Sequence, residues 1–145
     1  MTRTIDLNAV TAAYLECALW ANTIPCDDNA YPIDPVDADG NELPGVVDLP
    51  AEDCWAVLTP EARAEAAQDC ADFVASCVEE FGPDIFAGLD DSQIGHDFHL
   101  SRNGHGAGFF DRGLGAQGDK LQRAARQCGA HGIMALDRDR LTFHG

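Results

Sequence analysis

The chain has 145 residues, of which 46% are hydrophobic, and a formal net charge of −16. This length suits one domain, residues 1–145, able to bury roughly two thirds of its unfolded surface, and so high a hydrophobic content argues against wholesale disorder. Residues 1–95 hold 20 of the 25 acids and only Arg3 and Arg63 as bases, net −18, whereas residues 96–145 hold the other seven Lys and Arg and all five His, net +2. A field of this sign repels nucleic acid and anionic membranes and attracts basic protein surfaces, so it points to binding rather than to a particular reaction.

The opening residues lack an uninterrupted apolar core of signal-peptide length, and no run approaches the roughly 20 apolar residues of a membrane span. A cytoplasmic location is the expectation. The six cysteines at 17, 26, 54, 70, 77 and 128 form no Cys-x-x-Cys pair and no zinc-finger spacing, so they read as small buried hydrophobes.

Asn8 suits an N-cap for a first helix over 9–21, in which Val10, Ala13, Tyr14, Cys17, Trp20 and Ala21 recur at helical spacing. From 22 to 58 the character changes. Pro25, Pro32, Pro35, Pro44 and Pro50 interrupt any long element, and nine acids between Asp27 and Asp53 face no base, so a long acidic irregular segment is expected. Asp37-Ala38-Asp39-Gly40 resembles the start of a calcium loop, but aligning Gly40 to the obligatory glycine puts Pro35 at the first ligand position and Val46 at the bidentate one. A turn at Asp39-Gly40 is the reading that remains.

A second helix is announced by Thr59 as cap, Pro60 at its first position and Glu61 at the positive end of the dipole, with Gly82-Pro83 as its stop. Ala62, Ala66, Cys70, Phe73, Val74, Cys77 and Phe81 form its buried face. On the other side Glu61, Glu65, Asp69 and Asp72 follow at i+4, i+4 and i+3, with Glu79 beyond, placing a carboxylate about every 6 Å with few bases to relieve them. A solvated face would look like this. So would a row of charges that a basic groove mistakes for a phosphate backbone, with salt-sensitive binding as the consequence.

Beyond Asp91 the pattern reads as a hairpin, residues 96–101 and 106–111 turning at Asn103-Gly104, a dipeptide suited to a type I′ turn. Its register would set Phe98 against Phe109 and His96 against Asp111 on one face, with His99 on the other. A third helix is expected over 119–127, ending near Gly129, and a second hairpin over 132–136 and 141–144. The fold class is therefore α+β: three helices with a small antiparallel sheet built from two C-terminal hairpins.

Two constellations invite chemistry. His96, His99 and Asp111, with His105 and Asp97 nearby, carry the donors of a zinc or iron site or of an acid–base pair, although the register divides them between faces. Gly113-Leu114-Gly115-Ala116-Gln117-Gly118 matches the Gly-x-Gly-x-x-Gly of pyrophosphate loops, but the strand expected before it belongs to a hairpin and Asp119 puts a negative charge at the helix start, so it reads as a connector. No nucleophile elbow occurs, and no cofactor or metal is expected.

Residues 13–20, 95–115 and 118–121 resemble a family of small acidic proteins encoded by tailed bacteriophages and prophages, a family whose function is uncharacterised. Members carry Trp where this chain has His99 and Phe110, so the resemblance implies a packing role at position 99 and not a reactive imidazole. It also implies a host bacterial cytoplasm as the setting. Some phage accessory proteins of this size and charge block restriction or CRISPR effectors by occupying basic nucleic-acid channels.

The functional expectation is a non-enzymatic phage protein that binds and inhibits a basic host partner, such as a CRISPR effector or another DNA-binding complex, by nucleic-acid mimicry. Asp34, Asp37, Asp39 and Glu42 of the loop and Glu61, Glu65, Asp69 and Asp72 of the second helix would be the partner-binding residues. The alternative is a small metal-binding or hydrolytic enzyme using His96, His99 and Asp111.

Overall fold

The computed structural model describes residues 4–104 and 108–144, and the backbone alone at position 111. Among these residues the class is α+β, with four α-helices and two small sheets. Helix α1, Leu7–Ala21, begins at Asp6, whose carboxylate accepts hydrogen bonds from the backbone N–H of Asn8 and Ala9 at 3.0 and 3.3 Å; the cap therefore falls two residues before the expected Asn8. Its buried side is Val10, Tyr14, Cys17 and Ala18, while Trp20, expected on that side, is 58% exposed.

The segment expected to be irregular contains a two-stranded antiparallel sheet, β1 (Thr23–Cys26) and β2 (Val47–Pro50), in which Ile24 faces Leu49. A two-stranded ribbon has only edges, so Pro25 and Pro50 remove no ladder hydrogen bond that a third strand would need. Within the loop joining them, acids hold their own turns. Asp27 accepts from the N–H of Asn29 and Tyr31, Asp34 from Val36, and Asp37 from Asp39 and Asn41, at 2.9 to 3.2 Å. Gly40 takes φ +82° and donates to the carbonyl of Asp37, which makes the expected turn.

After a short strand β3 (Val57–Leu58), helix α2 runs Pro60–Phe81 and starts as its sequence announces, with the Thr59 hydroxyl accepting from the N–H of Ala62. Ala62, Ala66, Cys70, Phe73, Val74 and Cys77 are buried; Phe81 is half-buried.

The largest departure follows. In the expected first hairpin, the first strand, 96–101, folds as part of helix α3, Asp91–Asn103. Of its expected second strand, 106–111, residues 109–111 form a 3-10 turn, while 106 and 107 lie outside the described residues. Asp90 and Gln93 make a reciprocal capping box at the start of α3, and Gly104, in the left-handed conformation at φ +67°, ends it. Asn103-Gly104 does supply a positive φ, but as a helix stop. Helix α3 is buried at Ile94, Gly95 and every position from Asp97 to Arg102. A helix enclosed on nearly all sides loses the 3.6-residue polarity by which it would be recognised. Phe98 and Phe109 share the core without being cross-strand partners: Phe73 stacks on Phe98 with centroids 4.0 Å apart and lies 5.8 Å from Phe109.

Helices α1 and α3 approach closely at Gly95, where a Cβ would come within 2.0 Å of the Val10 carbonyl oxygen. A 3-10 turn, Phe109–Arg112, leads into α4, Ala116–Gln127. The glycine-rich stretch therefore follows a helical turn and not a strand. Gly118 lies inside α4, where a Cβ would meet the Phe109 carbonyl at 2.8 Å, so this glycine serves close packing.

The second expected hairpin is present as β4 (Gly132–Ala135) and β5 (Arg140–His144), with Ile133 opposite Phe143 and Ala135 opposite Leu141. Strand β3 joins β5 in parallel, giving the order β3-β5-β4. The expected plan of three helices and a purely antiparallel sheet from two hairpins is thus corrected to four helices, one C-terminal hairpin with a parallel edge strand, and a separate ribbon.

Candidate functional site

Helix α2 carries the acidic row. Glu61, Glu65 and Asp72 are exposed, whereas Asp69 is half-buried because it meets a cation inside the fold. Arg102 reaches across from α3 and donates through Nη1 to Asp69 Oδ2 at 2.9 Å. The same guanidinium donates to the Tyr14 hydroxyl at 3.1 Å, to the Gly129 carbonyl at 2.9 Å and to the Cys128 carbonyl at 3.1 Å, and lies 5.1 Å over the Phe98 ring. The Cys128 and Gly129 carbonyls belong to the C-terminal end of α4, where the helix dipole favours a cation. Burial pushes the Tyr14 phenol well above its usual range, against the pull of Arg102.

His131, just before β4, stands beside the same row. Its Nε2 is 3.1 Å from Glu65 Oε1 and its Nδ1 is 3.4 Å from Asp69 Oδ2. At Asp69 the row is therefore relieved from within by Arg102, a base that the expectation of few relieving bases did not include. Asp72 accepts a hydrogen bond from Gln68 at 2.8 Å and remains at the surface. Between α2 and α4 lies a cleft of about 340 Å³ with Phe73, Phe98 and Cys77 on its floor and Asp69, Asp72 and Glu80 at its rim.

The loop acids Asp34, Asp37, Asp39 and Glu42 are all exposed, on the β1–β2 connection and not on α2. The eight proposed contact residues thus occupy two separate elements. Two of the loop four, Asp34 and Asp37, also shape the loop that bears them.

His96 and His99, expected on a hairpin, sit on α3. His99 is fully buried, its Nε2 is 3.1 Å from the Asn22 amide, and the Tyr14 ring meets it edge-on at 5.0 Å. His96 is half-buried beside Trp20, with ring centroids 6.3 Å apart, and its Nδ1 has no hydrogen-bond partner among the described residues. Asp97 is 1% exposed and is held at both oxygens by Arg112, at 2.8 and 2.9 Å. His105 and the side chain of Asp111 lie outside the described residues.

Of the thiols, Cys17, Cys26, Cys70 and Cys77 are buried, Cys54 is half-buried and Cys128 is exposed, so the expectation of buried cysteines holds for four of six. Burial pushes Cys17, Cys70 and Cys77 up to about 12 and Cys26 up to about 11.

Sequence reasoning did not find the grouping of Glu65, Asp69 and His131, nor the role of Arg102. The i, i+4 spacing of the two acids was visible. Their partners come from 33 residues away in Arg102 and from beyond α4 in His131, and no local pattern announces them.

The site is thus an acidic helix face with the buried Arg102 guanidinium at its centre, on a small α+β domain. Comparison of the chain with protein-family models, curated proteins and solved structures finds no match. No helix among the described residues is long and apolar enough to cross a membrane.

Proposed function

We propose that this protein is a non-enzymatic phage-encoded inhibitor that works in the host bacterial cytoplasm by binding a basic protein, of the class of CRISPR effectors and other DNA-binding defence complexes. One observation carries the reading: net charge of −18 over residues 1–95, with Glu61, Glu65 and Asp72 exposed along one helix. Bases of the C-terminal part do not cover that face completely. Arg102, Arg112 and Arg140 are engaged with Asp69, Asp97 and Asp137.

A cationic groove docking on α2 would displace its own counterions and gain entropy as it does on DNA. The apolar floor of the α2–α4 cleft offers contact area that charge alone does not supply. Asp69, held by Arg102, acts in this reading as an internal anchor, and the exposed neighbours make the contact.

Complex formation between the purified protein and a CRISPR effector, or another DNA-binding host protein, measured across a salt series tests the proposal. Affinity should fall steeply with ionic strength and fall again in a Glu61→Gln, Glu65→Gln, Asp72→Asn triple variant. Affinity indifferent to salt, or unchanged in that variant, overturns electrostatic mimicry.

A further inference from the structure

We propose that Glu65, Asp69 and His131 form a binding site for one divalent transition-metal ion, with zinc the ion their donors suit. This inference does not depend on the partner reading above. One ligand atom from each residue lies within 4.8 Å of the other two. Around a tetrahedral zinc ion with bonds of about 2.0–2.1 Å, ligand atoms stand about 3.4 Å apart. Closing the group requires movements of about an ångström, and the Glu65 side chain, 48% exposed, has that freedom.

The other two ligands are held in place. Helix α2 sets Glu65 and Asp69 one turn apart on the same side. His131 is tied by its backbone N–H to Asn103 Oδ1 at 2.6 Å, and its ring packs 5.2 Å from Phe143. Arg102 fixes the Asp69 carboxylate through Oδ2, the oxygen that lies 3.4 Å from His131 Nδ1.

The two ring nitrogens of His131 lie 3.1 Å from Glu65 Oε1 and 3.4 Å from Asp69 Oδ2, so a nitrogen donor stands close to both carboxylates. An ion taken by one ring nitrogen and one oxygen of each acid would complete the protein part of the shell. One nitrogen and two carboxylate oxygens, with water completing the shell, is a borderline-soft set that suits zinc and Co²⁺ better than calcium or magnesium.

The test uses the full chain, freed of metal with a chelator and titrated with Zn²⁺ against a chromogenic competitor, then with Co²⁺ followed by visible absorption. One equivalent should bind, with a Co²⁺ spectrum of nitrogen and oxygen ligation. His131→Gln and Glu65→Gln should each weaken binding about tenfold or more, and an Asp34→Asn, Asp37→Asn control should not. Glu65 is exposed, so its substitution reports on the site even where loss of His131 disturbs folding, which circular dichroism monitors. Absence of stoichiometric uptake by folded protein overturns the proposal. Uptake unaffected by either substitution, or a thiolate charge-transfer band that places the ion on a cysteine, overturns it equally.

Discussion

Asp97 and Arg112 form a two-point ion pair in which the carboxylate is 1% exposed and the guanidinium reaches it from a side chain 37% exposed. The pair ties the 3-10 turn before α4 to the middle of α3. Removing Arg112 leaves a buried carboxylate without its main counterion, whereas Asp97→Asn removes the charge together with the need for it. Arg112→Met should cost about 3 kcal/mol and Asp97→Asn clearly less, as read from urea denaturation midpoints. Equal losses in the two variants would mean that the pair acts only through packing.

Gly95 is the point of closest approach of α1 and α3, with a Cβ position 2.0 Å from the Val10 carbonyl oxygen. Backbone cannot yield as a flexible side chain can, so Gly95→Ala should push the helices apart and cost about 3 kcal/mol or more. Thermal unfolding measures this, and a variant as stable as the parent would show that the helices are not so close.

The buried thiols set an alkaline limit on stability. Cys17, Cys70 and Cys77 are raised to about 12 and Cys26 to about 11, from 9.0, with burial as the first cause. Protons are held more tightly in the folded state, so this contribution is complete below the unfolded value and is lost as pH rises towards the folded ones. Denaturation midpoints should be insensitive to these thiols up to about pH 8 and should decline progressively from about 9 to 12. With a chromogenic disulfide at pH 8, Cys128 should react first and the four buried thiols only on unfolding.

Asp34 and Asp37 combine charge with turn capping, and the two roles separate by substitution. Asparagine keeps the Oδ1 acceptor that the turn uses and loses the charge, whereas alanine loses both. If the loop meets a basic partner through its charge, Asp34→Asn with Asp37→Asn should weaken binding severalfold without altering hydrogen exchange in the loop. Weakening by the alanine pair alone, with faster exchange, would assign the effect to loop shape.

How much of this was legible depended on whether the signal was local. Helix α2 could be read because Thr59, Pro60 and Gly82 mark its ends and one side of it faces water. Helix α3 could not. It is enclosed on nearly every side and carries Asp97, His99, Ser101 and Arg102 in the interior, so it shows neither an apolar stripe nor an apolar run. Strands β1 and β2 were hidden by prolines, which a two-stranded ribbon tolerates. At the site, the spacing of acids along α2 was in the sequence, but His131 and Arg102, which meet Glu65 and Asp69, arrive through tertiary packing.

The guanidinium of Arg102 touches α1 at Tyr14, α2 at Asp69 and the end of α4 at Cys128 and Gly129, from a side chain 5% exposed. The step in charge near residue 95 is therefore no seam along which the molecule could be cut. A fragment ending there would keep its carboxylates but forfeit the clamp that three helices share, so the protein should melt as one cooperative unit, and its negative face should exist only while its positive interior is in place.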